Sequence, residues 1–218
     1  MKEKDISNAE LGDHFTFIFK NEKQLFSVIL PFLMKGLENN EKCIYVFHDV
    51  SKERIISKLI EQKRDINEFL KSGQLTILSS RETYLKGGFF DPDRAIAMLK
   101  EIERKALDEG YGGVRITGEA SWINSGNKGT ERLMEYESKL RNFFPGSRTC
   151  AICQYDERAI DPGILAESIH CHPEVIFYNK RCENLYYSPN LFAPSGSSVF
   201  PVGSYELIKE DFLETVNK

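Results

Sequence analysis

Two hydrophobic rhythms alternate along the chain. Short runs that are apolar or β-branched at nearly every position read as strands buried on both faces. They cover residues 15–19 (Phe-Thr-Phe-Ile-Phe), 43–47, 75–78, 114–116, 149–155 and 175–178. Between them, apolar residues recur at helical spacing. Leu25, Ile29, Phe32, Leu33 and Leu37 form one such stripe after Asn21, a predicted N-cap, and Pro31 within it predicts a kink. Ser51 opens a second helix with Ile55, Ile56, Leu59 and Ile60; a short charged connector to Ser72-Gly73 follows it. Asp91-Pro92 and Asp161-Pro162 pair an N-cap with proline at the first helical position, a helix-start signature. The first opens a stripe of Ile96, Leu99, Ile102, Ala106 and Leu107 that Gly110 ends; the second opens one of Ile164, Leu165 and Ile169. Thr130 is the predicted cap of a further helix bearing Leu133, Met134, Tyr136, Leu140 and Phe144, which Pro145-Gly146 stops. Residues 179–187 read as a hairpin partner for the last strand, and 205–216 as a short final helix.

Strand–helix alternation of this kind predicts an α/β fold: a mostly parallel sheet, right-handed crossovers, and helices on both faces. The expected organisation is a flexible arm over 1–12, a single domain over 13–192, and an irregular Pro-, Ser- and Gly-rich tail with a short helix over 193–218. At 218 residues, 41% hydrophobic and 28% charged, the chain can bury a large core without covalent staples. A net charge of −4 gives no electrostatic grip on nucleic acid or an acidic membrane. The charged start Met1-Lys2-Glu3-Lys4-Asp5 lacks an apolar core, and no apolar run approaches the roughly 20 residues that span a bilayer. The expectation is a cytoplasmic protein with no membrane or direct nucleic-acid partner, whose five cysteines are free thiols.

Candidate chemistry gathers around residues 112–122. There a short strand ends in Thr117, Glu119, Ser121 and Trp122, the chain's one tryptophan. Ligands of open α/β sheets bind at the carboxyl ends of strands. Arg115 and Glu119 have two readings: a structural ion pair, or Glu119 as the orienting group of a pocket walled by Trp122, with Tyr136 and Glu137 from the following helix lining the same crevice. The loop over 79–90 carries Tyr84, Phe89 and Phe90 around Gly87-Gly88, and either packs on the sheet edge or closes over that crevice. His14 precedes the first strand and reads as a surface or capping residue. The first strand-to-helix turn, Lys20-Asn21-Glu22-Lys23, has no glycine, so it lacks the backbone geometry of a phosphate loop. Cys150 and Cys153 have C-x-x-C spacing, and His170 and His172 lie downstream, which offers a metal set. Residues three apart in a strand point to opposite faces, however, so the favoured expectation is no metal and no cofactor.

The chain resembles the MEDS family, a sensory domain of methanogens and methylotrophs. The resemblance rests on Gly12-Asp13-His14, Pro31-Phe32-Leu33 with Gly36-Leu37, Glu41 to Val46, Gly73-Gln74-Leu75, and Tyr84-Leu85 with Gly88 to Arg94. Gly118-Glu119-Ala120-Ser121-Trp122, Tyr136-Glu137, Cys153 to Asp156 and His172-Pro173 complete it. It spans about residues 10 to 192. It implies a three-layer fold like RecA and KaiC from which the phosphate loop has been lost, and a sensory role in which the domain is joined to a histidine kinase or a transcriptional regulator. It also implies a small carbon compound as ligand. Ala120 departs from the bulkier residue usual at that place.

The resulting expectation is a non-enzymatic sensor that binds a small molecule, a C1 compound or small hydrocarbon derivative, and signals through a partner or as a homodimer. The candidate ligand-binding residues are Arg115, Glu119, Trp122, Tyr84, Phe89, Tyr136 and Glu137, with no catalytic residue. The alternative is a degenerate RecA/KaiC-like protein that binds nucleotide or self-assembles. A hydrolase using Glu119 with His170 or His172 ranks last.

Overall fold

In the computed structural model, described over residues 6–62, 66–188 and 204–216, seven strands form one sheet. They are β1 (His14–Phe19), β2 (Lys42–Phe47), β3 (Leu75–Ser79), β4 (Val114–Glu119), β5 (Thr149–Asp156), β6 (Glu174–Phe177) and β7 (Lys180–Glu183). Their order is β3-β2-β4-β5-β1-β6-β7, and all pairings are parallel except β6 with β7, which closes as the predicted antiparallel hairpin.

One face is covered by α1 (Glu22–Glu38), α2 (Lys52–Ile60) and α3 (Ile66–Ser72). The other is covered by α4 (Pro92–Asp108), α5 (Leu133–Phe143), α6 (Pro162–Cys171) and α7 (Ser204–Val216). Two separate cores result. Phe15, Phe17, Cys43 and Tyr45 point to the α1 face, while Ile18, Ile116, Ala151 and Tyr155 point to the α5 face, as strand pleating requires. This is the three-layer α/β architecture expected. Among the described residues no helix is long and apolar enough to cross a membrane.

The caps explain where the helices begin. Asn21, Ser51, Asp91 and Asp161 each accept a backbone N–H of their own first turn. Helix α1 runs as one element across Pro31, buried along its length against the sheet. It passes so close to the strands that a Cβ at Gly36 would lie 2.6 Å from Cys43 Sγ and 2.8 Å from Arg115 Cδ. Two expectations need correction. The charged connector before Ser72 contains α3, held by buried Ile66 with half-buried Phe69 and Leu70 at i+3 and i+4, a stripe of a single turn among charges. Residues 6–12, expected as a flexible arm, include a 3-10 turn whose Ile6, like Ala9 just beyond it, is buried against the α1 face. The irregular tail expected from 193 lies outside the described residues up to 203, beyond which α7 packs on α6.

Candidate functional site

Successive residues of β4 (Val114–Glu119) point to opposite faces, and this decides the site. Arg115, Thr117 and Glu119 share the α1 face. Arg115 and Glu119 are four residues apart, about 13 Å along a strand, so they cannot pair. Arg115 instead forms a buried ion pair with Glu41 at the amino edge of the sheet, Nε to Oε2 at 2.6 Å, and donates to Ala9 O at 3.1 Å. Its guanidinium lies over the Phe32 ring, and the pair is structural. The expectation that Arg115 shares a site with Glu119 is therefore corrected by strand length.

Glu119 sits at the opposite, carboxyl edge. It is buried, yet its Oε2 accepts three successive backbone N–H groups, from His48 (3.0 Å), Asp49 (2.6 Å) and Val50 (3.2 Å). Together these N–H groups form an anion nest at the end of β2. Burial raises the carboxyl's pKa, and the same three N–H groups pull it back down. Tyr45 Oη lies 3.3 Å from Glu119 Oε1 and 3.1 Å from Gln154 Oε1, and Gln154 donates through Nε2 to Thr117 Oγ1 at 2.7 Å. A buried polar row thus supports the carboxylate from below. The adjoining loops are tied as well: His48 Nδ1 is 2.7 Å from Ser80 Oγ, but Ser80 is buried and offers no accessible nucleophile.

Above this row lies a crevice of about 520 Å³ at the carboxyl ends of β1, β2, β4 and β5. Its apolar wall is Phe19, Leu25 and Val50; its polar rim includes Glu22, Asp49, Ser51, Ser121, Gln154 and Asp156. Two cations reach it, each already paired: Arg54 with Glu22 at 2.6 and 2.8 Å, and Arg158 with Asp156 at 2.5 and 2.9 Å. This is the place where such a fold would present a phosphate loop. Here the turn closes on itself: Asn21 Oδ1 accepts from Gln24 N and Gln24 Oε1 from Lys20 N, both at 2.9 Å. Glu22 then places a carboxylate in the first turn. With Lys20 N and Gln24 N already taken, an acid in the first turn, and neither Lys20 nor Lys23 lining the crevice, this turn is poorly suited to a triphosphate.

The remaining candidates lie on the other face of the sheet. Trp122 is 2% exposed and does not line the crevice. It stacks on Tyr84 (ring centroids 5.2 Å apart) and packs on Phe90 (4.5 Å), and both rings meet Tyr136 edge-on. The 3-10 turn after Glu119, Ser121–Ser125, carries Ser121 to the crevice and swings Trp122 away from it. Gly118 makes room for this cluster, since a Cβ there would come within 3.1 Å of Tyr84 Oη. The loop bearing these aromatics is pinned: Phe90 N donates to Lys128 O at 2.9 Å and Arg94 Nη2 donates to Tyr84 O at 3.0 Å. Phe89 is exposed beneath the Arg94 guanidinium. Trp122, Tyr84, Phe89 and Tyr136 thus do not share a pocket with Glu119, because the chain crosses the sheet edge between them.

Glu137 belongs to a third place. Together with His14, Cys153 and His172 it forms a cluster, buried except for half-buried Cys153, in which one ligand-type atom from each lies within 4.8 Å of the others. His14 is therefore no surface residue. The metal set read from the sequence does not assemble: Cys150 is buried on the α1 side, and His170 Nδ1 contacts Tyr186 O at 2.7 Å, away from Cys153 and His172. Nor do His170 or His172 meet Glu119. The sequence missed Tyr45, Gln154 and the 48–50 backbone as partners of Glu119, and the adjacency of strands far apart in the chain was the missing signal.

Residues 13–173 match the family described as "MEDS: MEthanogen/methylotroph, DcmR Sensory domain". The chain belongs to the MEDS family. Glu119 and its nest, Trp122 and its aromatic neighbours, and the Glu137 cluster all fall within the matched MEDS region. No curated protein matches the chain. Among solved structures, the MEDS chain is similar to the KaiC-like protein PH0186 of Pyrococcus horikoshii OT3. The identity is 15% and the TM-score 0.53, covering 76% of this chain and 70% of that one. It is also similar to the flagellar accessory protein FlaH of Methanocaldococcus jannaschii, at 13% identity and TM-score 0.55, covering 81% and 77%. At these identities the likeness is one of fold, RecA/KaiC-like.

Proposed function

We propose that this MEDS chain is a non-enzymatic sensor that binds a small molecule, a C1 compound or small hydrocarbon derivative, in the crevice beside Glu119 and signals through a partner protein or a second copy. The observation that carries the reading is the join between the crevice and the Glu119 nest. The 48–50 segment is at once the crevice wall and the lead into α2, and it is held by one carboxylate. A ligand that competes for those N–H groups, or adds to them, favours one loop position over another, which is the differential affinity a switch requires. The mixture of an apolar wall with paired charges suits a small, partly polar molecule better than a polyanion. The capped start of α1 argues in the same direction.

Calorimetry of the purified chain against methanol, methylamines, small thiols, halogenated one-carbon compounds, ATP and ADP tests this. A member of the first group should bind the wild type and lose at least about ten-fold in affinity in Glu119→Gln, since each charged hydrogen bond contributes about 1.5–3 kcal/mol. Heat from ATP or ADP, with none from the small compounds, would replace this reading with nucleotide binding.

A further inference from the structure

The buried cluster on the α5 face carries an inference independent of the crevice. Its four members come from distant parts of the chain: His14 opens β1, Glu137 lies in α5, Cys153 in β5, and His172 follows α6. His172 Nδ1 is 2.7 Å from Ser168 O. A carbonyl only accepts, so that nitrogen carries the ring proton and Nε2 presents its lone pair to the cluster. Nε2 faces Glu137 Oε2 at 3.4 Å. Neither atom has a hydrogen-bond partner among the described residues, although both are buried. The other carboxylate oxygen, Oε1, accepts from Tyr155 Oη at 3.0 Å, which leaves Oε2 aimed inward. His14 Nε2 completes the group, 3.7 Å from Glu137 Oε2 and 3.4 Å from Cys153 Sγ.

Two acceptors facing each other in a dry interior call for a cation, or a shared proton, between them. The spacing fits one cation in particular. Tetrahedral Zn²⁺, with bonds of about 2.0–2.3 Å, holds its ligand atoms about 3.3–3.8 Å apart. Three of the six separations, 3.4, 3.4 and 3.7 Å, fall in that range, and all lie within 4.8 Å, a spread that an ion would draw in. Charge agrees as well, since Zn²⁺ with one carboxylate, one thiolate and two neutral imidazoles is neutral overall. The hydrogen bonds from His172 to Ser168 O and from Tyr155 to Glu137 are the outer contacts that orient metal ligands.

We infer that His14, Glu137, Cys153 and His172 form a closed tetrahedral site for Zn²⁺. With four protein ligands it has no open position, so the ion's role is to hold the chain together. It clamps α5 and the end of α6 to β1 and β5, and through α5 it steadies Tyr136 under the aromatic cluster. The competing account of the same residues is a metal-free cluster sharing protons.

The full chain, without added histidines, is stripped with a chelator under reducing conditions and titrated with Zn²⁺ and with Co²⁺ as a spectroscopic substitute. One ion should bind per chain, and Zn²⁺ should raise the melting temperature. The Co²⁺ form should show the intense visible bands of tetrahedral cobalt and a near-ultraviolet thiolate band. Cys153→Ser should remove the thiolate band. Glu137→Gln, which keeps the side chain's size and its contact with Tyr155, should weaken binding by about 100-fold, and His172→Gln likewise. Cys182→Ser, a thiol on β7 outside the cluster, should change nothing. A wild-type chain that takes up no ion, a pale octahedral cobalt spectrum, or equal binding by Glu137→Gln and Cys153→Ser would each overturn the assignment. The wild-type spectrum decides alone should a variant fail to fold.

Discussion

The two ends of β4 bury an acid in opposite ways. At the amino edge, Glu41 is neutralised by Arg115, a side-chain cation fixed under α1, and the place is sealed. At the carboxyl edge, on the same face of the same strand, Glu119 meets no cation; three backbone N–H groups of the β2–α2 segment receive it, and a crevice opens beside it. The first arrangement locks strands to a helix. The second ties a charge to a piece of loop, whose position can shift at the cost of a few hydrogen bonds. A buried carboxylate is thus structural or responsive according to what answers it.

The contrast is tested most severely at the sealed end. Arg115→Met leaves Glu41 buried without its cation, and should lower unfolding free energy by about 3–5 kcal/mol in a denaturant titration. The double variant Arg115→Met with Glu41→Leu should recover most of that loss; recovery of nothing would mean that packing around Gly36, and not charge, governs this edge. Next comes Glu119→Ala, which frees three N–H groups that water in the crevice can partly satisfy. It should cost about 2 kcal/mol and speed amide exchange at 48–50 without loosening the strands. If exchange there is unchanged, the carboxylate does not hold the loop. Tyr45→Phe removes a single support and should cost about 1 kcal/mol, with the 48–50 amides still protected. The smallest effect is in pH. The folded-state pKa of Glu119 is raised from 4.5, mainly by burial, so its contribution to stability is fully present below that value and fades as pH rises through the folded pKa. Glu119→Gln should show a flatter stability–pH profile over that window in thermal melts; an identical slope would remove Glu119 as its source.

Much of this architecture was readable in advance. Asp91-Pro92 and Asp161-Pro162 mark helix starts whatever surrounds them, because an N-cap and a proline act within a single turn. The apolar runs gave six of the strands by position, and the hairpin of β6 with β7 followed from sequence adjacency. The absence of glycine in the first turn already argued against a phosphate cradle, and the structure adds that Asn21 and Gln24 close that turn on itself. The site was harder. Glu119 could be singled out as a charge at a strand end, but Trp122, three residues on, could not be known to turn to the other face. That depends on a 3-10 turn and on a glycine that admits Tyr84.

Local chemistry, acting over one to four residues, determined the elements of this protein, their caps and their buried faces, and with them the layered α/β class and the family resemblance. Which charges meet was decided only by the assembled sheet. The order β3-β2-β4-β5-β1-β6-β7 sets Gln154 beside Glu119, Arg115 beneath α1, and His14 next to Cys153 and within reach of His172. Those neighbours are separated by tens of residues along the chain. Coulombic and hydrogen-bonding forces depend on distance in space, and no pattern along one strand records who lies across the ladder.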